Sequence, residues 1–202
     1  MKLYYMPGAC SLSPHISLRE AGAPFELDRV DAGKTESGKD YKTVNAKGYV
    51  PALQLDSGEV LTEGAAVVQY IADQHPGTGL APPSGTLERA RLQEHLNFIA
   101  SELHKAFGPL FDPSASDEAK AAAPAKVAMR LDHIEKALGD GRSYLLGEKF
   151  SVADAYLFAV ASWTGPTKIG LDRWPKLKAF VARVSERPAV QAAMKAEGLI
   201  AA

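Results

Sequence analysis

The chain has 202 residues, of which 46% are hydrophobic and 23% are charged, and its net charge at neutral pH is −1. This composition is ordinary for a globular protein, and the charge leaves no basic excess for nucleic acid or an anionic membrane surface. No segment approaches the roughly 18 apolar residues that a membrane span needs. A single cysteine excludes an internal disulfide. We therefore expect a cytoplasmic protein without a nucleic-acid or membrane partner.

The first 75 residues mix short strands with helices. Strands are predicted over residues 2–6, 25–31, 50–55 and 60–61, and helices over 12–22, near 40–44 and from about 64 onward. Ser11 or Ser13 is expected to cap the first helix. A strand–helix–strand unit followed by a hairpin and a helix is typical of a thioredoxin-like domain, which we assign to residues 1–80.

A connector rich in proline and glycine, residues 75–86, separates this domain from a half whose strong patterns are all helical. Leucine and isoleucine recur at helical spacing in a helix predicted near 87–111. An alanine-rich helix near 117–139, an apolar helix that opens at Ser151 and two shorter helices follow. The predicted fold class is α/β plus all-α, with a helical bundle domain over residues 86–202.

Cys10, the only cysteine, stands where the first strand turns into the first helix. Unpaired N–H groups and the helix dipole at that point favour an anion, so the cysteine is expected to have a lowered pKa and more thiolate. The alternative is a small buried packing residue, and position alone does not decide between them. No second cysteine lies three residues away, so any disulfide chemistry must use an external thiol.

Val50 and Pro51 open a predicted strand. In a thioredoxin-like domain this proline is expected to be cis, which exposes the N–H and C=O groups of Val50 to an extended ligand that binds like an added strand. The alternative is an ordinary trans proline at a strand entry.

Glu63 and Gly64 begin a predicted helix. The free N–H groups at a helix start can hold a carboxylate, and Glu63 can hold an ammonium, which together suit the α-amino-acid end of a peptide. The alternative is an acidic residue that is there only because the helix dipole favours it.

A polar line of Asn97, Ser101 and His104 runs along the predicted helix near 87–111. Asn97 and His104 are seven residues apart and are predicted to share one helix face. That face lines a cleft between the domains or is simply solvated. His104 has no second histidine or acidic partner at metal-ligand spacing, so no metal is expected.

Ser151 and Asp154 form the pattern of a capping box, with aspartate in place of glutamate. The helix that they open is apolar on nearly all sides and is therefore predicted to be buried. Asp154 is expected to matter for folding and not for catalysis.

Five segments, taken together and in order, resemble the glutathione transferases, and specifically the bacterial beta class. They are KLYYMPGACSLSPHISLREAG, VNAKGYVPALQLDSGEVLTEGAAVVQYIAD, LNFIASELHK, KFSVADAYLF and RPAVQAAMKAEGLI. The resemblance spans nearly the whole chain. It implies a homodimer with a glutathione site in the first domain and an apolar substrate site beside the second.

The resemblance also implies roles for particular residues. Cys10 contacts the glutathione sulfur and can form a mixed disulfide with it, and His104 lies near that sulfur and modulates the chemistry. The implied glutathione-binding residues are Cys10, Lys34, Val50, Pro51, Glu63, Gly64, Asn97 and His104. The implied substrate-side residues are Lys105, Phe107 and Trp163.

Two departures from the family pattern change what is expected. The loop over residues 31–35 is shorter than in many relatives, so either Lys34 or Lys39 meets the glycyl carboxylate of glutathione. Gly64 lacks the hydroxyl that serine supplies in most other classes, and only its backbone N–H is left to bind a ligand.

The predicted function is conjugation of glutathione to hydrophobic electrophiles in detoxification, together with thiol–disulfide exchange through Cys10. Two alternatives stay open. One is a glutathione-dependent reductase or dehalogenase of a degradation pathway, and the other is a non-catalytic binder of hydrophobic ligands.

Overall fold

The computed structural model describes residues 1–201. Its N-terminal part is a five-stranded sheet of β1 (Lys2–Tyr5), β2 (Glu26–Asp31), β3 (Lys34–Thr35), β4 (Ala52–Gln54) and β5 (Val60–Thr62), in the order β3-β2-β1-β4-β5. β1 and β2 are parallel, and the other neighbours are antiparallel. With α1 (Leu12–Glu20) and α2 (Gly64–Gln74), this is the predicted thioredoxin-like arrangement.

The C-terminal part is helical, as predicted. Its helices are α3 (Leu87–Phe98), α4 (His104–Phe111), α5 (Asp117–Ala137), α6 (Val152–Ala161), α7 (Pro175–Ser185) and α8 (Pro188–Ala196). A π-helical turn, Ile99–Leu103, joins α3 to α4 without a break. Short 3-10 turns lie at Tyr41–Thr43, Pro76–Thr78 and Ser162–Thr164. The predicted fold class is confirmed, and the helix predicted near 87–111 is one continuous element that contains this unpredicted π-turn.

The largest apolar core spans both parts of the chain. All ten residues of α6 are buried, and α1 and α2 pack against it. Leu12, Ile16 and Val68 of the N-terminal helices therefore belong to the same apolar cluster as the buried residues of the C-terminal helices. Two smaller clusters cover the faces of the sheet.

The connector is fixed by hydrogen bonds from the helical part. The buried Arg89 donates from Nε to the Pro82 carbonyl at 2.9 Å, and its guanidinium pairs with Asp73. The Val152 N–H donates to the Leu80 carbonyl at 3.0 Å. Among residues 1–201, no helix combines the length and the apolar character needed to cross a membrane.

The capping box at the start of α6 is present as predicted. Asp154 Oδ2 accepts from the Ser151 N–H at 2.8 Å and from the Ser151 hydroxyl at 2.7 Å, and Oδ1 accepts from the Leu145 N–H at 2.8 Å. Complete burial of this carboxyl raises its pKa to about 6. Asp154 thus joins the loop before α6 to the helix start.

The predicted capping of α1 by Ser11 or Ser13 was wrong. The Ser11 hydroxyl accepts from the Met6 N–H at 3.1 Å and donates to the Met6 carbonyl at 3.2 Å. The Ser13 hydroxyl donates to the Cys10 carbonyl at 2.8 Å. Both side chains therefore stabilise the turn that carries Cys10, and neither caps the helix.

Candidate functional site

The loop between β1 and α1, residues 6–10, is held from both sides by the C-terminal part. The Gly8 N–H donates to Glu197 Oε2 at 2.9 Å, and its carbonyl accepts from Trp163 Nε1 at 2.8 Å. Gly8 has a φ of +71°, in the left-handed region that favours glycine. These contacts fix the loop that leads into Cys10.

Cys10 lies against the segment before β4. Its Sγ donates to the Val50 carbonyl at 3.4 Å. Loss of solvent raises the pKa of the thiol to about 11, outweighing the lowering by the N–H groups of Cys10 and Ser11 and by the charge of Lys105. The predicted lowering of this pKa was wrong, because burial has a larger effect here than the start of α1. Cys10 is therefore a neutral thiol at pH 7 in this state.

The peptide bond between Val50 and Pro51 is cis, as predicted. Tyr49, which precedes Val50, is held in place by two hydrogen bonds. The Tyr41 hydroxyl and Asn45 Nδ2 both donate to its carbonyl, at 3.0 and 2.7 Å. The Val50 carbonyl accepts the Cys10 thiol. The backbone carbonyl of Val50, just before β4, thus faces the sulfur of Cys10.

Glu63 precedes α2 with a φ of +69°, a backbone conformation that is uncommon for a residue with a side chain. Its Oε1 accepts from Lys47 Nζ at 2.6 Å and from the Tyr49 hydroxyl at 2.7 Å. These two donors lower the pKa of Glu63, so the side chain is an anion at pH 7. The sequence pattern did not single out Lys47 or Tyr49, which lie 16 and 14 residues away along the chain.

His104 is half-buried at the start of α4. Its Nδ1 lies 3.1 Å from the Tyr156 hydroxyl, and its ring meets the Trp163 ring edge to face, with 4.8 Å between the centroids. Loss of solvent, and then the charge of Lys105, lower the pKa of His104 to about 4. The imidazole is therefore neutral at pH 7.

Asn97 and His104 lie on either side of the π-turn, Ile99–Leu103. The helix face that the two residues are expected to share stays a prediction. Asn97 is exposed, and the Ser101 hydroxyl donates to its carbonyl at 2.9 Å.

Lys34 and Lys39 both lie on the exposed edge of the sheet. Lys34 pairs with Asp31 in the ladder between β2 and β3, and Lys39 follows the turn over residues 36–38. Both side chains are open to solvent. Either ammonium can meet a carboxylate from this edge.

The three predicted substrate-side residues differ in exposure. Lys105 is exposed, Phe107 is fully buried and Trp163 is 8% exposed. Phe111, one turn beyond Phe107, is 51% exposed, and its ring centroid lies 5.4 Å from that of Trp163. Phe111 is therefore the aromatic surface that a ligand can reach, and its spacing of four residues from Phe107 could have revealed it.

Two family models match the chain, the N-terminal domain of glutathione S-transferase over residues 8–74 and its C-terminal domain over residues 98–188. The chain is 47% identical over 201 residues to glutathione S-transferase GstA of Escherichia coli O157:H7, which covers 98% of this chain and 100% of that protein. The chain belongs to the glutathione S-transferase family. The predicted transferase class is thereby confirmed.

Solved structures place the chain within the family. A sphingomonad glutathione S-transferase, solved in complex with glutathione, is 53% identical with a TM-score of 0.94, and the match covers 99% of this chain and 100% of that one. A bacterial beta class glutathione S-transferase from Sphingomonas chungbukensis is 52% identical with a TM-score of 0.96, at the same coverage. The predicted resemblance to the beta class is confirmed.

In this glutathione S-transferase, Tyr156 bridges the two halves of the site. A methyl group placed on Gly64 would lie 3.6 Å from Tyr156 Cζ and 3.8 Å from Pro51 Cγ, so the three residues are neighbours. The Tyr156 hydroxyl also reaches His104. The sequence pattern did not identify Tyr156, because it lies in a helix whose apolar character indicates only burial.

Metal-ligating side chains do not cluster in the described part of the chain. Within residues 1–201, no group of three or more His, Cys, Asp or Glu side chains is arranged to hold an ion. The absence of a metal from the chemistry stays a prediction.

Proposed function

We propose that this glutathione S-transferase conjugates glutathione to hydrophobic electrophiles, with residues 1–80 binding glutathione and residues 86–202 forming the substrate side. One observation carries the proposal: the Cys10 sulfur lies 3.4 Å from the Val50 carbonyl, beside the cis bond to Pro51. A peptide ligand that pairs with Val50 as an added strand would bring its own cysteinyl sulfur to Cys10. The glutathione complex of a relative with 53% identity supports this ligand.

The charges around α2 suit the γ-glutamyl end of glutathione. Glu63 is anionic and is held in place by Lys47 and Tyr49, so it can accept the ammonium group. The free N–H groups from Gly64 onward can hold the α-carboxylate. Lys34 or Lys39 would bind the glycyl carboxylate, and Asn97 would bond near Cys10.

The nucleophile in this proposal is the thiolate of glutathione and not that of Cys10. A neutral Cys10 can turn its S–H from the Val50 carbonyl to the glutathione sulfur, where the N–H groups at the start of α1 and the charge of Lys105 also favour an anion. The thiolate then attacks an electrophilic carbon. A carbon–sulfur bond forms, and the leaving group departs with its electron pair.

Phe111 and Trp163 would form the apolar wall for the electrophile. The Phe111 ring is exposed beside Trp163, and the buried Phe107 supports both from behind. Lys105, next to His104, would face the same space. This wall is apolar and carries few hydrogen-bonding groups, which favours a hydrophobic acceptor over a polar one.

Exchange through Cys10 is the second candidate. It requires the Cys10 thiolate to attack a disulfide sulfur, and a pKa near 11 leaves little thiolate at neutral pH. A reductase or dehalogenase that works through a Cys10–glutathione disulfide would meet the same obstacle. The structure therefore favours direct conjugation over these alternatives.

The test compares wild type, Cys10→Ala and Cys10→Ser with a chloronitroaromatic acceptor and with a glutathione mixed disulfide. Conjugation is expected to survive in both variants within about tenfold, since the loss of one hydrogen bond to a charged group costs about 1.5 kcal/mol. Exchange should vanish in both. Intact-mass measurement after glutathione disulfide treatment should show an adduct only where Cys10 is present.

Three outcomes would contradict the proposal. Absence of both activities in the folded protein would exclude an enzyme of this kind, and tight binding of apolar ligands without turnover would identify a non-catalytic binder. Loss of conjugation together with exchange in both Cys10 variants would make Cys10 itself the nucleophile.

A homodimer in the cytoplasm completes the proposal, as the resemblance to the beta class implies. Light scattering of the purified chain should give twice the mass of 21.6 kDa. A monomeric mass in a fully active preparation would remove the dimer from the proposal and leave the chemistry intact.

A further inference from the structure

Tyr156 has a polar hydroxyl group and lies in α6, a helix in which every residue is buried. Its side chain is 3% exposed, and the other nine residues of α6 are buried too. A buried tyrosine hydroxyl needs a hydrogen-bond partner. Within residues 1–201 the structure gives it one, His104 Nδ1, at 3.1 Å.

The hydroxyl lies where the two halves of the site meet. A methyl group on Gly64 would be 3.7 Å from this oxygen, and Pro51 borders the same space. Burial raises the pKa of Tyr156 above its ordinary value of 10.0, and the nearby Glu63 carboxylate raises it further. The phenol is therefore protonated at neutral pH and has a hydrogen to donate.

Because the Tyr156 hydroxyl carries its hydrogen, it restricts which nitrogen of the neutral His104 ring can carry the ring hydrogen. A neutral imidazole carries one N–H and one acceptor nitrogen. If Nδ1 accepts the phenol hydrogen, both groups are satisfied and the ring hydrogen sits on Nε2. If Nδ1 carried the hydrogen, it would donate to the phenol oxygen, and the phenol hydrogen would be buried without an acceptor.

We propose that Tyr156 is a positioning residue that fixes His104 in the tautomer protonated at Nε2, so that His104 donates a hydrogen bond to the glutathione sulfur instead of accepting its proton. The part that concerns glutathione rests on the proposed function. The tautomer is a property of the free protein. The proposal predicts that removal of the phenol hydroxyl changes turnover through His104 while leaving the contacts of Val50, Glu63 and Gly64 in place.

The first test reads the tautomer directly. Nitrogen-15 NMR of the ligand-free protein at pH 7 should show an acceptor-type Nδ1 and a protonated Nε2 for His104, assigned among the five histidines by the signals lost in His104→Gln. In Tyr156→Phe the two nitrogen shifts should move towards each other as the second tautomer becomes populated. A protonated Nδ1 in the wild type would overturn the proposal. This measurement needs no turnover, so its failure is distinct from failure of the proposed function.

The second test separates turnover from binding. Tyr156→Phe should lower kcat for conjugation about fivefold, which corresponds to about 1 kcal/mol, and change the KM for glutathione less than twofold. Tyr144→Phe is the matched control, since it removes another tyrosine hydroxyl, one that accepts from Arg187 away from the site. It should leave kcat unchanged.

A double-mutant cycle ties the effect to His104. In a His104→Gln background, which has no tautomers to select, Tyr156→Phe should have no further effect on kcat. Each of three results would overturn the proposal. They are a wild-type kcat in Tyr156→Phe, a change in the KM for glutathione alone, and an equal loss of kcat on Tyr156→Phe in the wild-type and His104→Gln backgrounds. If Tyr156→Phe does not fold, the wild-type nitrogen shifts of His104 decide alone.

Discussion

At the scale of single residues, burial and hydrogen bonding act on Cys10 in opposite directions. The N–H groups at the start of α1 favour the thiolate, while packing against the large core removes the water that would stabilise a charge. The pKa near 11 shows that desolvation has the larger effect. The same N–H groups remain available to the thiolate of a bound glutathione. In the proposed function, the site would therefore hold a neutral Cys10 thiol beside a glutathione thiolate.

This balance predicts slow alkylation of Cys10 in the ligand-free protein. The rate with iodoacetamide should rise steadily as pH increases from 7 to 10, because the reactive thiolate fraction grows tenfold per pH unit below the pKa. Since Cys10 is the only cysteine, intact mass reports on it alone. A rate that levels off below pH 8 would show that the thiol pKa is lowered after all.

The position of Cys10 could be predicted from the sequence, but its ionisation could not. Strand, turn and helix are local patterns, and they place the cysteine at a helix start. The water excluded from it depends on the packing of α1 against α6, which lies about 140 residues away along the chain. For the same reason the sequence predicts only that Tyr156 is buried, although its side chain contacts His104 and borders Gly64.

At the scale of elements, the loop over residues 6–10 is positioned by the end of α8. Glu197 follows that helix, and its side chain has 0% exposure. Arg19 Nε donates to His15 Nε2 at 2.9 Å, so His15 must donate from Nδ1 to Glu197 Oε1, 2.8 Å away. The other carboxylate oxygen accepts from Gly8. One buried carboxylate thus joins α1, α8 and the loop before Cys10.

Glu197→Ala should therefore lower the free energy of unfolding by about 3 kcal/mol, because it leaves the Gly8 N–H and the His15 Nδ1–H buried without acceptors. Glu197→Gln keeps one carbonyl acceptor and should lose roughly half as much. Urea unfolding of the two variants measures this. Equal stability of Glu197→Ala and wild type would show that water replaces the carboxylate.

Asp154 gives the capping box a pH dependence. Burial raises its pKa to about 6 from the ordinary value of 3.8, so its contribution to stability is complete below about pH 4 and declines as pH rises through 6. The side chain of Asp154→Asn cannot ionise. Its amide NH2 group would face the N–H group of Leu145 or of Ser151, which places one donor against another. The stability lost in this variant should be about 2–4 kcal/mol at pH 4 and smaller at pH 7.5.

Urea unfolding of wild type and Asp154→Asn at both pH values measures that difference. Because the two proteins share every other titrating group, the contributions of those groups to the pH dependence of stability cancel. A loss that grows with pH would mean that the three donors around Asp154 lower its pKa in the folded protein.

The spacing of Leu92, Leu96, Ile99 and Leu103 predicted the long helix but concealed its π-turn. All four side chains are buried, as an uninterrupted α-helix also requires. A π-turn changes one set of backbone hydrogen bonds, and no residue type marks it in this stretch.

At the scale of the whole molecule, α1 and α2 each have two apolar faces. One face of each packs on the sheet, through Leu18 of α1 and Ile71 of α2. The other face packs on α6, through Leu12, Ile16 and Val68. The sequence predicted two units because strands stop at the connector, and a change in secondary structure does not reveal that the core continues across it.

An isolated fragment of residues 1–80 is therefore expected not to fold by itself. Leu12, Ile16 and Val68 are at most 2% exposed in the whole chain and would face water in the fragment. At about 1.5–3 kcal/mol for each side chain, the lost burial approaches the 5–15 kcal/mol that stabilises a typical domain. Circular dichroism should show a largely unfolded fragment, and the intact chain should unfold in one transition that sheet and helix signals follow together. A fragment that unfolds cooperatively, with the intact chain showing two transitions, would instead establish residues 1–80 as an independent folding unit.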